Sequence, residues 1–247
     1  MIDEKVQIKS FGLSDIGSKR LMNEDVFAEL KEHHFFVLAD GMGGHRAGEV
    51  AAKEAVFYLC DAIKELLSQL QKSADLDTLI KKILKVFENA NHWIYHLSHT
   101  NENLHGMGTT LCSLLFHNNH IVYSHVGDSR IYRLRNNKLE LITKDHSVLM
   151  RSKTQQTKLR KMLTQVIGTP KQIYPQVGSC KLEKGDLYLL CSDGLSDFVA
   201  FSDIELILKR SYSLKEKTKI LIRIAKNLGS LDNITVLLVE VGNHNAT

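Results

Sequence analysis

Four aspartates stand where apolar runs meet turns: Asp40 in Leu38-Ala39-Asp40-Gly41, Asp128 in Val126-Gly127-Asp128-Ser129, Asp193 in Cys191-Ser192-Asp193-Gly194, and Asp232 in Leu231-Asp232-Asn233. Glu24 and Asp25 add two carboxylates where a polar loop from Asp15 runs into an apolar segment. A single Asp-Gly is only a turn signal, and each of these acids could cap a turn of its own. Gathered at one end of a fold they would repel strongly, which is tolerable only with raised pKa values or bound cations. Oxygen donors without Cys or imidazole suit the hard cations Mg²⁺ and Mn²⁺ rather than zinc. Gly41 lets the backbone turn sharply and expose a carbonyl beside Asp40. Arg20 lies three residues before Asn23-Glu24-Asp25, and its planar guanidinium can grip two phosphate oxygens at once. Metals with an arginine point to phosphoryl chemistry: two cations sharing a water lower its pKa for in-line attack on phosphorus, without a covalent intermediate.

The elements that must position these residues are legible in the hydrophobic pattern. Phe35-Phe36-Val37-Leu38-Ala39 reads as a buried strand ending at Asp40, with an edge strand at residues 6–12 and a short one at 26–30. Apolar positions 47, 51, 55, 59, 63, 66 and 70 step at helical spacing, as do 76, 80, 83, 87, 90, 94 and 97. The period then changes, and 109–116, 121–126, 131–135 and 139–143 read as strands. Asn118-Asn119 and Asn136-Asn137 mark tight hairpins between neighbouring runs. Residues 186–191 and 234–241 are nearly continuous in apolar residues, as strands buried on both faces are. Helical patterns at 202–210 and 214–228 lie between them. The simplest packing is two antiparallel sheets face to face with a helix layer outside each.

Six segments carry a resemblance. Arg20-Leu21-Met22-Asn23-Glu24-Asp25, Ala39-Asp40-Gly41-Met42-Gly43-Gly44-His45, Gly106-Met107-Gly108-Thr109-Thr110, Val126-Gly127-Asp128-Ser129-Arg130, Cys191-Ser192-Asp193-Gly194-Leu195 and Asp232-Asn233-Ile234-Thr235 resemble, in order, the motif set of metal-dependent Ser/Thr protein phosphatases of the 2C type (the PPM family), in bacterial form. The likeness covers nearly the whole chain. It implies an α+β fold, a four-layer α-β-β-α sandwich with the active site at one edge. It also implies that Asp40 bridges two Mn²⁺ or Mg²⁺ ions, that Gly41 gives its carbonyl to one, and that Asp193 and Asp232 hold the other. Asp128, with Asp193, resembles the ligands of a third, weaker site. Arg20 would bind substrate phosphate, and Glu24 and Asp25, with Asn233, would sit behind the ligands and orient bound water. The implied substrates are phosphoproteins modified by a Ser/Thr kinase.

The sequence departs from that pattern in places. Met42 stands where eukaryotic members often carry a histidine proposed as general acid. His45 is an alternative proton donor, or a residue packing near the helix start. The segment after Asp145-His146-Ser147 is short and lacks the glycine and His-Pro features of bacterial relatives, and Gln165 stands where they usually have arginine. Besides the enzyme, a pseudophosphatase that binds phosphoproteins without turnover and a small-molecule phosphoesterase remain open.

Other classes fit poorly. A Cys-dependent phosphatase needs Arg six residues after its cysteine, but Cys60, Cys112, Cys180 and Cys191 are followed there by Leu66, Asn118, Asp186 and Asp197. No GxxxxGK loop suggests an NTPase. His92, His96 and His99 share a helix face at metal-compatible spacing, against which the polar residues around them suggest a solvated helix end. At 247 residues, 43% hydrophobic and 24% charged, the chain reads as one soluble domain (1–247), expected to be a monomer. A net charge of +4 argues against a nucleic-acid partner. Scattered cysteines in apolar segments, a polar N-terminus and no span of membrane length suggest a cytoplasmic protein with no membrane partner.

The positive balance resides in residues 144–161, which hold Lys144, Arg151, Lys153, Lys158, Arg160 and Lys161 against one acid, Asp145. By position this is the family's flap, at about 144–168. A solvated basic helix and a substrate-recruiting surface are both consistent with it. If it recruits substrate, kcat/KM should favour phosphopeptides flanked by Asp or Glu over neutral-flanked ones, less so as salt rises. Charge reversal at Arg151, Lys153 and Lys158 should shrink that preference and leave aryl phosphate hydrolysis nearly unchanged. Equal loss on both substrates would indicate a structural role instead.

Overall fold

A computed structural model describes residues 6–43, 47–71, 74–151 and 159–243. Strands β1 (Val6–Asp15), β2 (Asp25–Leu30) and β3 (Phe35–Met42) precede two long helices, α1 (Ala47–Gln69) and α2 (Leu76–Thr100). The middle of the chain is β4 (Gly108–Thr109), β5 (Leu111–His117), β6 (His120–Val126), β7 (Arg130–Arg135), β8 (Lys138–Leu141), β9 (Ser147–Arg151), β10 (Leu159–Leu163) and β11 (Gln176–Lys181). Strand β12 (Leu187–Cys191), helices α3 (Asp193–Ser196), α4 (Phe201–Lys209) and α5 (Leu214–Asn227), and β13 (Ile234–Asn243) follow.

Two antiparallel sheets result. One runs β1-β13-β12-β7-β8, the other β11-β6-β5-β3-β2 with β4 beside β3. The hairpin asparagines behave as their chemistry requires. Asn118 (φ 52°) turns β5 into β6, and Asn136 and Asn137 (φ 51° and 59°) turn β7 into β8, all in the left-handed region asparagine tolerates. Asp75 caps α2 by accepting from the Thr78 amide at 2.8 Å. Ser213 and Glu216 form a reciprocal capping box at the start of α5.

Three buried layers make the four-layer sandwich. The α1 stripe Ala51, Ala55, Leu59 and Ile63 joins Leu79, Ile83, Phe87 and Ile94 of α2 over Val37 and Leu115 of the six-stranded sheet. On the opposite side, Ile204 and Leu208 of α4 and Leu221 and Ala225 of α5 cover Tyr132, Leu189 and Leu238 of the other sheet. The face between the sheets is filled by Phe36, Leu38, Cys112, Leu114, Ile131, Leu190 and Leu237. Phe36 meets Phe116 edge to face at 5.7 Å, and Phe116 meets Tyr188 the same way at 5.9 Å, so an aromatic file runs from one sheet into the other. No helix among the described residues is long and apolar enough to cross a membrane.

The α+β sandwich expected from the sequence is therefore observed, with local differences. Strand β1 extends to Asp15 because it pairs with β13 along its whole length. The expected 109–116 strand breaks at Thr110, whose amide turns aside to the Asp40 carbonyl at 2.8 Å. The described parts of the basic segment are not helical: β9 and β10 pair as antiparallel strands. Long-range anchoring explains this. Arg130 grips Asp145 through two hydrogen bonds of 2.9 and 2.8 Å, and the His146 amide donates to the Gly127 carbonyl at 2.9 Å. Lys153 and Lys158 lie outside the described residues, as does His45.

The core between the sheets should be sensitive to truncation. Leu38 is fully buried there, two residues before Asp40. Leu38→Ala should cost about 2–5 kcal/mol of unfolding free energy by urea denaturation, the usual range for such a cavity.

Candidate metal centre

Each sheet contributes acids to one edge of the sandwich. Asp40 near the end of β3 and Asp128 after β6 come from the six-stranded sheet. Asp193 after β12 and Asp232 before β13 come from the five-stranded one. These four, with Arg20, Glu24 and Gly41, line a single cleft of about 320 Å³. Asp25 stands opposite Asp40 in the β2–β3 register and is buried beneath it. Asn233 is buried behind Asp232.

Hydrogen bonds hold this edge together. Asn233 Oδ1 accepts from the Glu24 amide at 2.8 Å, while its Nδ2 donates to the carbonyls of Ile16 and Met22 at 2.9 and 3.0 Å. One side chain thus staples the whole 16–24 loop to the start of β13. Ser192 Oγ donates to Asp25 at 2.7 Å and accepts from the Thr235 amide at 2.9 Å. Thr109 Oγ1 donates to the Asp40 carbonyl at 2.9 Å. Gly41 is demanded by close approach: a Cβ there would lie 2.2 Å from the Gly48 carbonyl oxygen and 2.8 Å from that of Glu24. Gly194 is under the same constraint from the Asn233 carbonyl, at 1.9 Å.

The charges are left in tension. Enclosure raises the Asp40 carboxyl well above the ordinary carboxylate range, and Asp25, Asp193, Asp128 and Asp232 add repulsion. Burial lifts Asp193 to about 7, helped by Asp128 and Asp197 and opposed by Lys161. Burial likewise lifts Asp25 to about 6, against the hydrogen bond from Ser192. Glu24 Oε1 and Asp25 Oδ1 are buried without a hydrogen-bond partner among the described residues. Two basic side chains relieve part of this. Arg20 Nη2 meets Asp232 Oδ2 at 2.7 Å, and Lys161 Nζ meets Asp128 Oδ2 at 2.6 Å. In this conformation no group of three acidic, His or Cys side chains among the described residues is arranged to close on one ion. The donor chemistry nonetheless fits a hard divalent cation: clustered carboxylates, a backbone carbonyl held close by, and orphaned carboxylate oxygens behind them.

Two residues at this edge were not identified from the sequence as site residues. Asp197 lies one helical turn after Asp193, its amide donating to the Asp193 carbonyl at 2.9 Å, so i,i+4 spacing was the available signal. Lys161 arrives on the distant hairpin, and no spacing points to it. The histidines of α2 take no part in the cleft; His99 stacks on Tyr95 at 3.9 Å, consistent with an ordinary helix end. All four cysteines are free.

The raised Asp193 carboxyl has a measurable consequence. Its folded value of about 7 exceeds the ordinary 3.8, so its contribution to stability is fully present below about pH 4 and is lost as pH rises through about 7. In chelator, Asp193→Asn should be more stable than the unsubstituted protein at about pH 8, and the gap should close toward about pH 4. Thermal melts across that range measure it; a gap independent of pH would contradict the charge argument.

Known proteins share this architecture. A family model described as Protein phosphatase 2C matches residues 15–229. Protein phosphatase PhpP of Streptococcus pneumoniae is 35% identical over 252 residues, covering 95% of this chain and 98% of the relative. Among solved structures, the serine/threonine phosphatase of S. agalactiae superposes with a TM-score of 0.81 at 32% identity, covering 95% of this chain and 100% of that one. The catalytic domain of the phosphatase PstP in complex with two manganese ions gives a TM-score of 0.79 at 31% identity, covering 96% and 99%. Sequence likeness over nearly the full length and the shared fold lead to one conclusion: the chain belongs to the protein phosphatase 2C family.

Proposed function

We propose that this chain is a Mn²⁺- or Mg²⁺-dependent phosphatase that removes phosphate from phosphoserine and phosphothreonine in proteins. The observation that carries the reading is the convergence of Asp40, Asp128, Asp193 and Asp232 from both sheets on one cleft with Arg20 at its rim. The names of the relatives as serine/threonine phosphatases and the two manganese ions of the PstP complex support it.

When bound, the metal ions supply Lewis acidity, lowering the pKa of water and neutralising charge on phosphate. Asp40, Asp193, Asp232 and the Gly41 carbonyl are the groups that would hold two of them. Arg20 is half-exposed on a long stem and can exchange Asp232 for substrate phosphate. Glu24 and Asp25 would accept hydrogen bonds from water in the cleft through their orphaned oxygens, and Asn233 fixes the loop that ends at Glu24. Beside Arg20 a wider cleft of about 830 Å³ is lined by Lys19, Leu21, Phe198 and Leu231, room that a protein segment flanking the phosphorylated residue would use. Retention of every acidic residue and Arg20 favours turnover over a binding-only role. We further propose that residues 1–247 form one catalytic domain, acting as a cytoplasmic monomer on substrates of a Ser/Thr kinase.

The test is a metal-titrated assay on phosphothreonine peptides. Activity should vanish in chelator and return with Mn²⁺ or Mg²⁺ but not zinc. Asp40→Asn should lower kcat by more than about a hundredfold, beyond the 10–100-fold typical of an outer partner. Arg20→Ala should mainly raise KM. Full turnover in excess chelator would end the proposal.

A further inference from the structure

Lys161 is the one basic side chain of the β9–β10 hairpin that the described structure brings into the acidic cleft. Its ammonium lies 2.6 Å from Asp128 Oδ2 and 3.1 Å from both Asp197 carboxylate oxygens. An ammonium has three N–H donors, and three acidic oxygens surround this one. A lysine ammonium is ordinarily charged at neutral pH. It thus contacts Asp128, one of the pair, Asp128 and Asp193, that the family resemblance assigns to a third, weaker ion.

We propose that Lys161 is a built-in cation occupying the place of that third ion, so that the Asp128 corner of this chain takes no divalent metal while the lysine is seated. The inference rests on the metal-dependent reading above. A hard divalent ion sits about 2.0–2.1 Å from a carboxylate oxygen if it is magnesium-like. One sharing Asp128 with the ammonium would be pressed against a like charge in a poorly solvated corner, where repulsion is large. Lysine is suited to this role as a compact point charge on a long stem, and it ties the hairpin to the cleft in the same contact.

The experiment counts ions rather than turnover. Mn²⁺ binding to the full chain is measured by titration calorimetry and by native mass spectrometry, for the unsubstituted protein, Lys161→Gln, Lys161→Arg and Lys161→Gln/Asp128→Asn. Circular dichroism confirms that each is folded. The unsubstituted protein and Lys161→Arg should saturate at two ions. Lys161→Gln should take up one more, and the added Asp128→Asn should remove that extra ion. A third ion on the unsubstituted protein would overturn the proposal without any variant. So would an unchanged count in Lys161→Gln. If no ion binds to any form, the metal-dependent reading itself fails, and this inference with it.

Discussion

Mutual repulsion among carboxylates drawn into one cleft is the constraint around which this edge is built. Asp40 and Asp193 are both held well above the ordinary carboxylate range, which records the cost of assembling like charges where water is scarce. Such a cluster needs a rigid frame, since flexible loops would simply spread apart. The frame consists of strand ends, the Asn233 staple and the Ser192–Asp25 hydrogen bond. Arg20 and Lys161 then relieve the tension from two sides, one beside the outer cleft and one from the hairpin.

The frame in turn depends on the packing between the sheets. Two of the four aspartates come from each sheet, so their spacing is set by how the inner faces meet. Phe36, Phe116 and Tyr188 cross that interface edge to face, and Leu38 and Leu190 fill it close to Asp40 and Asp193. Helix layers seal both outer faces. Hydrophobic burial between and outside the sheets thus positions the cleft's chemistry, because close-packed interiors transmit displacement rather than absorb it.

The β9–β10 strand pair adds a different kind of element. Its base is fixed by Arg130–Asp145 and by His146 against Gly127, while Val148, Leu149, Met150 and Met162 remain exposed along it. Lys161 reaches back from this exposed strand pair to the acidic corner. A segment that sequence alone presents as a run of positive charge therefore contains one residue with a specific electrostatic partner set.

Local chemistry was readable from the sequence: period-two and helical apolar patterns, asparagines that turn hairpins, and aspartates at strand ends beside glycines. Those features depend on residues near one another in the chain, so one sequence suffices to find them. The residues alone left the convergence of Asp40, Asp128, Asp193 and Asp232 conditional, and it was the family resemblance that implied it, because antiparallel neighbours send their like ends to opposite edges. Tertiary structure alone decided the rest. Thr110 breaks its strand to meet the Asp40 carbonyl, β9 pairs with β10 beside the anchors at Arg130 and Gly127, and Lys161 finds Asp128 and Asp197. Each of these depends on groups separated by many residues, whose meeting is fixed by packing and charge in three dimensions rather than by any spacing along the chain.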